Sequence, residues 1–433
     1  MSSLPSMRTT GDAWIPSLPR NWGFTKLKYV ARFVNGAPFK PADWSDTGVP
    51  IIRIENLNGS EEFNYSLAEV DTKYEVREGD LLFAWSGNIG TSFGPSIWNR
   101  PGRFYLNQHI FKVEEYELEM RYFYWALKAV TTRVETEVSG IIGLVHVTKH
   151  ELGGIPIPVP SAPEQRAIGD FLDRGTTKID DLIAAKRSLI DRALEKRQSL
   201  IADVCIRGLD KKAPTKESHV PTIGEVPKHW RVVRNKLLFR EVDERSIDGT
   251  EELLTVSHIT GVTRRSEKPS VTMFMAESLE GYKKCRRDDL IINTMWAWMG
   301  ALGISKFHGI VSPGYNVYRF KEKVVPAFFD LLYRTPQYIS EFTRWSKGVW
   351  ESRLRLYPFE FFQILTPIPP YEEQQSIVDA VEQATGKYRE VISTLEKSIS
   401  KLQEYRSALI TAAVTGQIDI LNYRAQEAAV ACQ

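Results

Sequence analysis

Through most of two long stretches of the chain, apolar and polar residues alternate in short runs, and each stretch then gives way to apolar spacings of three and four. REGDLLFAWSGNIG at 77–90 and NQHIFKV at 107–113 have strand character, as do RRDDLIINTMWAWMG at 286–300 and YNVYRF at 315–320. RYFYWALKAV at 121–130 and AFFDLLYRT at 327–335 predict short helices. Each stretch is therefore expected to form a compact mixed domain with one dominant sheet. From Thr177 the pattern changes: Ile179, Leu182, Ile183, Leu189, Ile190, Ala193, Leu194, Leu200, Ile201 and Val204 recur with charges between them. Tyr388, Leu395, Leu402 and Leu409 fall at intervals of seven, with Ile392, Ile399 and Ala413 beside them. Both runs predict long amphipathic helices, most simply packed against each other as an antiparallel pair.

The helix boundaries follow from local chemistry. Pro160 and Pro163 disfavour helix before Glu164. Gly175-Thr176-Thr177 reads as a break with a fresh N-cap, Thr385-Gly386 sits opposite it in the second run, and Gly208 reads as a stop. A helix from 177 to 204 would be roughly 42 Å long at about 1.5 Å per residue, enough to separate two domains.

The two stretches are copies. Sliding the chain by 209 residues superposes Pro158 on Pro367, Pro160 on Pro369, Glu164 on Glu373, Gln165 on Gln374 and Ile168 on Ile377. The register continues without a gap through Lys178/Lys387, Ile183/Ile392, Glu195/Glu404, Arg197/Arg406, Leu200-Ile201/Leu409-Ile410 and Asp210/Asp419. At an offset of 208, IPSLPRNW (15–22) matches IGEVPKHW (223–230) through Ile, Pro19/Pro227 and Trp22/Trp230. Similar borders with divergent interiors imply one scaffold presenting two different surfaces.

Composition narrows the class. The 433 residues allow two to four domains, and 42% hydrophobic content supplies each with a core. No stretch approaches twenty uninterrupted apolar residues, and MSSLPSMRTTGDAW lacks a basic region followed by an apolar one, so the chain is expected in the cytoplasm. Cys205, Cys285 and Cys432 are far apart, which predicts reduced structural thiols rather than a disulfide framework. The net charge of +2 excludes a uniformly basic binder, yet KKCRR (283–287), TRR (263–265) and RLR (353–355) make local basic patches.

The chain holds decoys rather than a catalytic signature. Ile368-Pro369-Pro370-Tyr371 resembles the Asn/Asp-Pro-Pro-Tyr/Phe run of adenine methyltransferases, but Ile368 stands where a polar residue must accept the target amine. The run reads instead as a rigid elbow. His146 and His150 in HVTKH lack the glutamate of a zinc helix and lie in a β-branched stretch, so no metal is expected. No phosphate loop, nucleophile elbow or acidic nuclease cluster appears, which favours a binding or assembly role.

Side chains suited to base edges and phosphates are frequent in both interiors. In the first they are Arg53, Asn56, Ser86, Asn88, Arg100, Arg103, Asn107 and Gln108. In the second they are His258, Thr260, Arg264, Arg265, Tyr315, Asn316, Arg353 and Arg355. Any one of them taken alone reads as a solvated loop residue. Trp296 and Trp298 are expected in the core.

Two variable domains, each followed by Pro-Ile-Pro-x-Pro...Glu-Gln-x-x-Ile and a long helix ending near Leu-Ile...Gly...Asp, resemble the specificity subunits of type I restriction-modification systems, the HsdS family. The resemblance spans residues 14–420. It is carried most strongly by PIPPYEEQQSIV (367–378) and LITAAVTGQID (409–419), and also by GDLLFAWSGNIG, LNQHIFKV and WSKGVWESRLRL (345–356). The first copy departs with PSAPEQ and ADVCIRGLD, which leaves its helix end open.

The resemblance implies an α+β fold: two mixed α/β target-recognition domains joined by two long antiparallel helices forming a coiled coil, with an internal pseudo-twofold repeat. The expected segments are 1–160 and 211–369 for the recognition domains, and 161–210 and 370–433 for the helical scaffold. Pro158, Pro160, Glu164, Gln165, Pro367, Pro369, Glu373 and Gln374 form the scaffold motif. The implied function is a non-catalytic reader of a bipartite, asymmetric DNA target. Its expected partners are double-stranded DNA, two modification subunits and restriction/translocase subunits, with S-adenosylmethionine, ATP and Mg on those subunits and no cofactor here. A specificity module of a type II-like methyltransferase-nuclease would share the same scaffold. A free-standing methyltransferase would need a cofactor motif that is absent, and a coiled-coil scaffold without nucleic-acid contact would show no salt-dependent DNA binding.

Overall fold

The computed structural model describes residues 6–138, 144–267, 278–348 and 354–420. Contacts divide the chain into two compact units, Met1–Lys186 with Lys397–Gln433, and Arg187–Glu396. Each therefore contains part of both long helices as well as one mixed interior.

In the first unit a hairpin, Met7–Thr9 with Ser17–Pro19, precedes a four-stranded antiparallel sheet ordered Gly94–Ile97, Leu81–Ala84, Ile110–Glu114, Arg32–Asn35. The helix Met120–Val138 packs on this sheet, and its face joins Phe33, Phe83 and Phe111 in one core through Tyr122, Phe123, Leu127 and Val130. A second four-stranded sheet orders Asn64–Ser66, Val49–Ile52, Phe104–Leu106 and Glu75–Val76, with one parallel pairing. The expectation of one dominant sheet thus fails in this unit. Ile52, Val76, Trp98 and Leu106 form an apolar cluster that packs on the first sheet through Leu82 and Ile110, and Ile51 and Tyr105 form another with Ala37 and Phe39, so the second sheet is buried as a layer against the first.

The second unit repeats the first sheet. Its order is Phe239–Val242, Tyr315–Phe320, Leu290–Asn293, Leu302–Ile304, the counterpart strand for strand. Its hairpin pairs Thr215–Glu217 with Glu225–Pro227. One helix of the first unit becomes two here, Pro326–Tyr333 and Pro336–Trp345, because Thr335-Pro336 ends one and starts the other; Thr335 Oγ1 accepts the Tyr338 N–H at 3.4 Å. The aromatic core gathers Phe239, Tyr318, Phe329, Tyr333 and Phe361.

The long helices run Ala162–Arg207 and Tyr371–Val414. No break interrupts either one, contrary to the expectation at Gly175-Thr176-Thr177 and Thr385-Gly386. Thr176 donates its hydroxyl back to the Leu172 carbonyl at 2.6 Å instead of capping a new helix. Gly175 is used for close packing, since a Cβ there would lie 3.3 Å from Leu409 Cδ2. In the first helix Leu172, Thr176, Ile179, Ile183, Lys186, Ile190, Ala193, Arg197, Leu200 and Val204 are buried or half-buried at alternating steps of four and three. That spacing is a heptad seam. Within the first unit it pairs antiparallel with the second helix, Asp180 meeting Arg406 and Gly175 meeting Leu409. In the second unit Ile201, Val204 and Cys205 share a core with Ile377, Val378 and Val381.

Both helices end alike. Gly208 (φ +72) follows the first and Gly416 (φ +70) lies just past the second. Gly208 lies against Pro227 and Trp230, and Gly416 against Pro19 and Trp22, the matched positions of the two copies. A left-handed glycine in that crowded position is what turns the chain back onto the hairpin.

Candidate functional site

The strongest local construction is the elbow at the start of each long helix. The strand Pro156–Val159 pairs antiparallel with Gly23–Lys26, and Leu365–Ile368 pairs in the same register with Arg231–Arg234. Pro158 gives its carbonyl to the Tyr122 hydroxyl at 2.9 Å. Gln165, 5% exposed, donates to the Pro160 carbonyl at 2.8 Å and accepts the Glu119 N–H at 2.7 Å. Gln374, 2% exposed, does the same with the Pro369 carbonyl at 2.9 Å and the Val325 N–H at 2.8 Å. Each glutamine thus ties the elbow to the residue before the helix that packs on the main sheet. One side-chain amide supplies both the donor and the acceptor at these points.

The neighbouring glutamates diverge. Glu164 accepts from the Ser161 N–H and hydroxyl at 2.9 and 2.6 Å, from Trp22 Nε1 at 3.0 Å and from Asn21 at 3.2 Å. Partial burial pushes its carboxyl up, but these hydrogen bonds outweigh burial and hold it below the usual carboxylate range. Pro370 replaces Ser161 in the second copy, so Glu373 pairs with His229 at 2.7 Å and Trp230 Nε1 is left buried without a partner. Ile368, the residue on which the methyltransferase resemblance turned, is buried in its strand opposite Arg231.

The first-unit candidates fall into separate groups. Arg53, Asn56 and Arg100 surround the 58–64 turn: Arg53 donates to Asn64 Oδ1 at 2.8 Å, Arg100 to the Ser60 carbonyl at 3.3 Å, and Asn56 to the Glu62 carbonyl at 2.8 Å. Arg53 also lies over Trp44, and Arg100 over Phe63 and Trp98. Arg103 stands apart, paired with Glu75 at 2.6 Å. Ser86, Asn88 and Gln108 gather near Trp85, whose Nε1 donates to the Gln108 carbonyl at 3.0 Å. His146 stacks edge-on to Trp85 at 4.7 Å, and exposed His109 lies 5.4 Å from it. The two histidines extend this surface and were not among the sequence candidates. HVTKH is not one helix: His146 is in a strand and His150 in the helix Lys149–Gly154. Among the described residues no His, Cys, Asp and Glu grouping could hold a metal.

In the second unit His258 and Thr260 sit on the exposed turn between Leu254–Ser257 and Gly261–Arg264. Arg334 anchors that turn through the Ile259 carbonyl at 2.6 Å. Half-buried Arg265 follows the second strand, and Arg264 pairs with Glu252 at 3.2 Å and lies over Phe307. Exposed Arg355 is bridged by backbone to Lys347. Arg353 lies outside the described residues.

Burial corrects four candidates. Asn56, Asn107, Tyr315 and Asn316 are buried, and Asn316 is committed to Lys283 at 3.1 Å and Tyr318 at 3.3 Å within the core. Their side chains contribute little exposed surface. Cys205 and Cys285 are also buried, and burial pushes both thiols up to about 12.

Trp296 requires the opposite correction. It is 50% exposed, the most open tryptophan among the described residues. The strand ends at Asn293, and a tight turn closed by Gly300 (φ +85) follows instead of a continued strand. The turn is stiff. Asn293 Oδ1 accepts the Met295 N–H at 3.2 Å, Trp298 Nε1 donates to the Met295 carbonyl at 3.0 Å, and the Leu356 N–H reaches the Thr294 carbonyl at 3.0 Å. The matched turn in the first unit follows Leu81–Ala84 and exposes Asn88 and Ile89. A glycine closing a Trp-Ala-Trp-Met run was the available signal that the run turns.

A profile of the type I restriction modification DNA specificity domain matches residues 19–192. The chain is 21% identical over 429 residues to the type I restriction enzyme EcoBI specificity subunit of Escherichia coli, covering 93% of this chain and 87% of that one. It is also 21% identical over 414 residues to a Methanocaldococcus jannaschii protein proposed as the MjaX specificity subunit, covering 90% and 94%. A chain from a structural study of complex assembly and conformational transition in a type I R-M system shares the fold, with a TM-score of 0.62 at 14% identity over 93% of this chain and 99% of that one. With the doubled elbow, the repeated sheet and the paired helices, these likenesses show that residues 19–192 match the type I restriction modification DNA specificity domain and that the chain is similar along most of its length to type I restriction enzyme specificity subunits.

Proposed function

We propose that this chain is the DNA sequence-specificity subunit of a type I restriction-modification complex and is not itself an enzyme. The observation that carries the reading is one scaffold built twice, down to the same glutamine bonds, with unlike exposed turns on each copy: Asn88, Gln108 and His109 on the first, and His258, Thr260 and Trp296 on the second. Equivalent frames give two equivalent docking places, and unlike turns give two unlike half-sites, so the target is bipartite and asymmetric. Two modification subunits dock on the repeated elbows and helices, and restriction subunits join them. S-adenosylmethionine, ATP and Mg belong to those partners, and the assembly works in the cytoplasm. Among the described residues no helix is long and apolar enough to cross a membrane.

The long helices act as the ruler across an unread spacer. Inserting four residues into both should lengthen the spacer and leave the half-sites unchanged; an unchanged spacer would defeat the ruler. The principal test is methylome sequencing of a strain with and without the gene. One bipartite adenine-methylated motif should vanish on deletion, and loss of no motif would refute the function.

A further inference from the structure

In the first unit the helix seam holds a compensated charge: the Arg406 guanidinium donates to both Asp180 oxygens at 3.0 and 3.1 Å. The repeat carries Arg406 onto Arg197, but it carries Asp180 onto Arg389. Where the first unit has an acid and a base, the second has two arginines. Both line one groove of the second unit, together with Arg287 and Lys306. The first unit has Glu78 at the position matching Arg287.

Among the described residues none of these four cations is paired with a carboxylate. Three acids also line the groove. Asp330 is engaged, accepting the Ile304 N–H at 2.8 Å and facing Arg334 at 3.9 Å, which leaves Asp288 and Glu382 against four cations. Arg197 is half-buried and Arg287, Lys306 and Arg389 are exposed; like charges gathered along one groove are unfavourable without a counter-charge, and an oxyanion accepting from both guanidinium groups reverses the sign. A second depression, sharing Arg197, Ile201, Asp330 and Leu331 with this groove, carries His258 and Ile259 of the exposed turn.

We infer that the groove lined by Arg197, Arg287, Lys306 and Arg389 seats phosphates of the DNA backbone beside the second half-site, a contact the first unit lacks. The inference rests on the DNA-reading function proposed above. Phosphate contacts position a duplex without reading its sequence. The groove therefore adds affinity and register on one side of the target and leaves the motif unaltered.

The test uses the full chain assembled with its modification subunit and a duplex carrying the motif found by methylome sequencing. Arg389→Asp rebuilds in the second unit the acid-base pair of Asp180 and Arg406, so the seam stays closed while the anion site is lost; Arg389→Gln with Lys306→Gln is the independent variant. The slope of log K against log salt should fall in magnitude by about 1 to 2, and affinity near 0.15 M salt by about 5- to 30-fold, with the methylated motif unchanged. Unchanged slope and affinity in both variants would overturn the inference. So would loss of modification-subunit binding at an unchanged salt slope, which would make the occupant a protein. If the wild-type complex shows no preference for its motif, the proposed function itself fails, a result distinct from either.

Discussion

Gln374→Leu tests the elbow most directly, because it removes two hydrogen bonds while nearly preserving side-chain volume. The Val325 N–H and the Pro369 carbonyl, bonded to Gln374 at 2.8 and 2.9 Å, would lose their partners in a place closed to water. Each buried group left unsatisfied costs about 1 to 3 kcal/mol, and the added apolar burial of leucine offsets about 1 kcal/mol. The net loss is about 3 kcal/mol, confined to the second unit. Guanidinium denaturation of the full chain should move the second unit's transition to lower denaturant and leave the first unit's in place, and Gln165→Leu should do the reverse. Hydrogen exchange gives a local measure: amides around Val325 should exchange about 100-fold faster, since about 1.4 kcal/mol is a factor of ten. A shift under about 0.5 kcal/mol, or one shared by both units, would refute the role assigned to the amide.

Gly208→Ala should cost about 1 to 2 kcal/mol from the left-handed backbone alone. Gly416→Ala should cost more, because its Cβ would fall 2.5 Å from Pro19 Cδ; thermal melts rank the two. Trp296→Ala should leave the melting temperature within a few degrees of wild type and weaken or relax recognition of the second half-site alone, as read by methylome sequencing. Burial, joined by the nearby Arg406 charge and only partly opposed by Glu135, pushes the Lys128 ammonium from 10.5 down to about 8. Between these values the unfolded chain binds more protons, so stability rises with pH across that window and the penalty is complete below it. Lys128→Met should therefore raise the melting temperature at pH 7, with the gain shrinking between about pH 8 and 10.5; a constant gain would refute the assignment.

The sequence by itself determined the repeat, the two long helices, their glycine ends and the elbows between strand and helix. Those features are written in local spacing and in side chains whose identity recurs at one offset, and neither needs knowledge of what lies across the fold. Gln165 and Gln374 were legible as a matched pair before their partners were known. What the partners are, and which polar side chains face outward, is decided by long-range pairing. Asn107 and Gln108 are adjacent in a promising stretch, yet one is buried and the other half-exposed, because Asn107 is bridged to Ala37 while Gln108 opens the turn that leads into Ile110–Glu114. Gly175 and Thr176 carry the signals of a helix break, but the opposing helix rewards close approach there and the helix continues. Trp296 has the composition of a core residue, and a left-handed glycine four positions later turns it out. Arg197 matches Arg406 in the sequence, and only the tertiary structure shows one facing an aspartate and the other lining a groove with a second arginine. Backbone periodicity is a local property, whereas exposure and charge compensation belong to whatever the fold brings alongside.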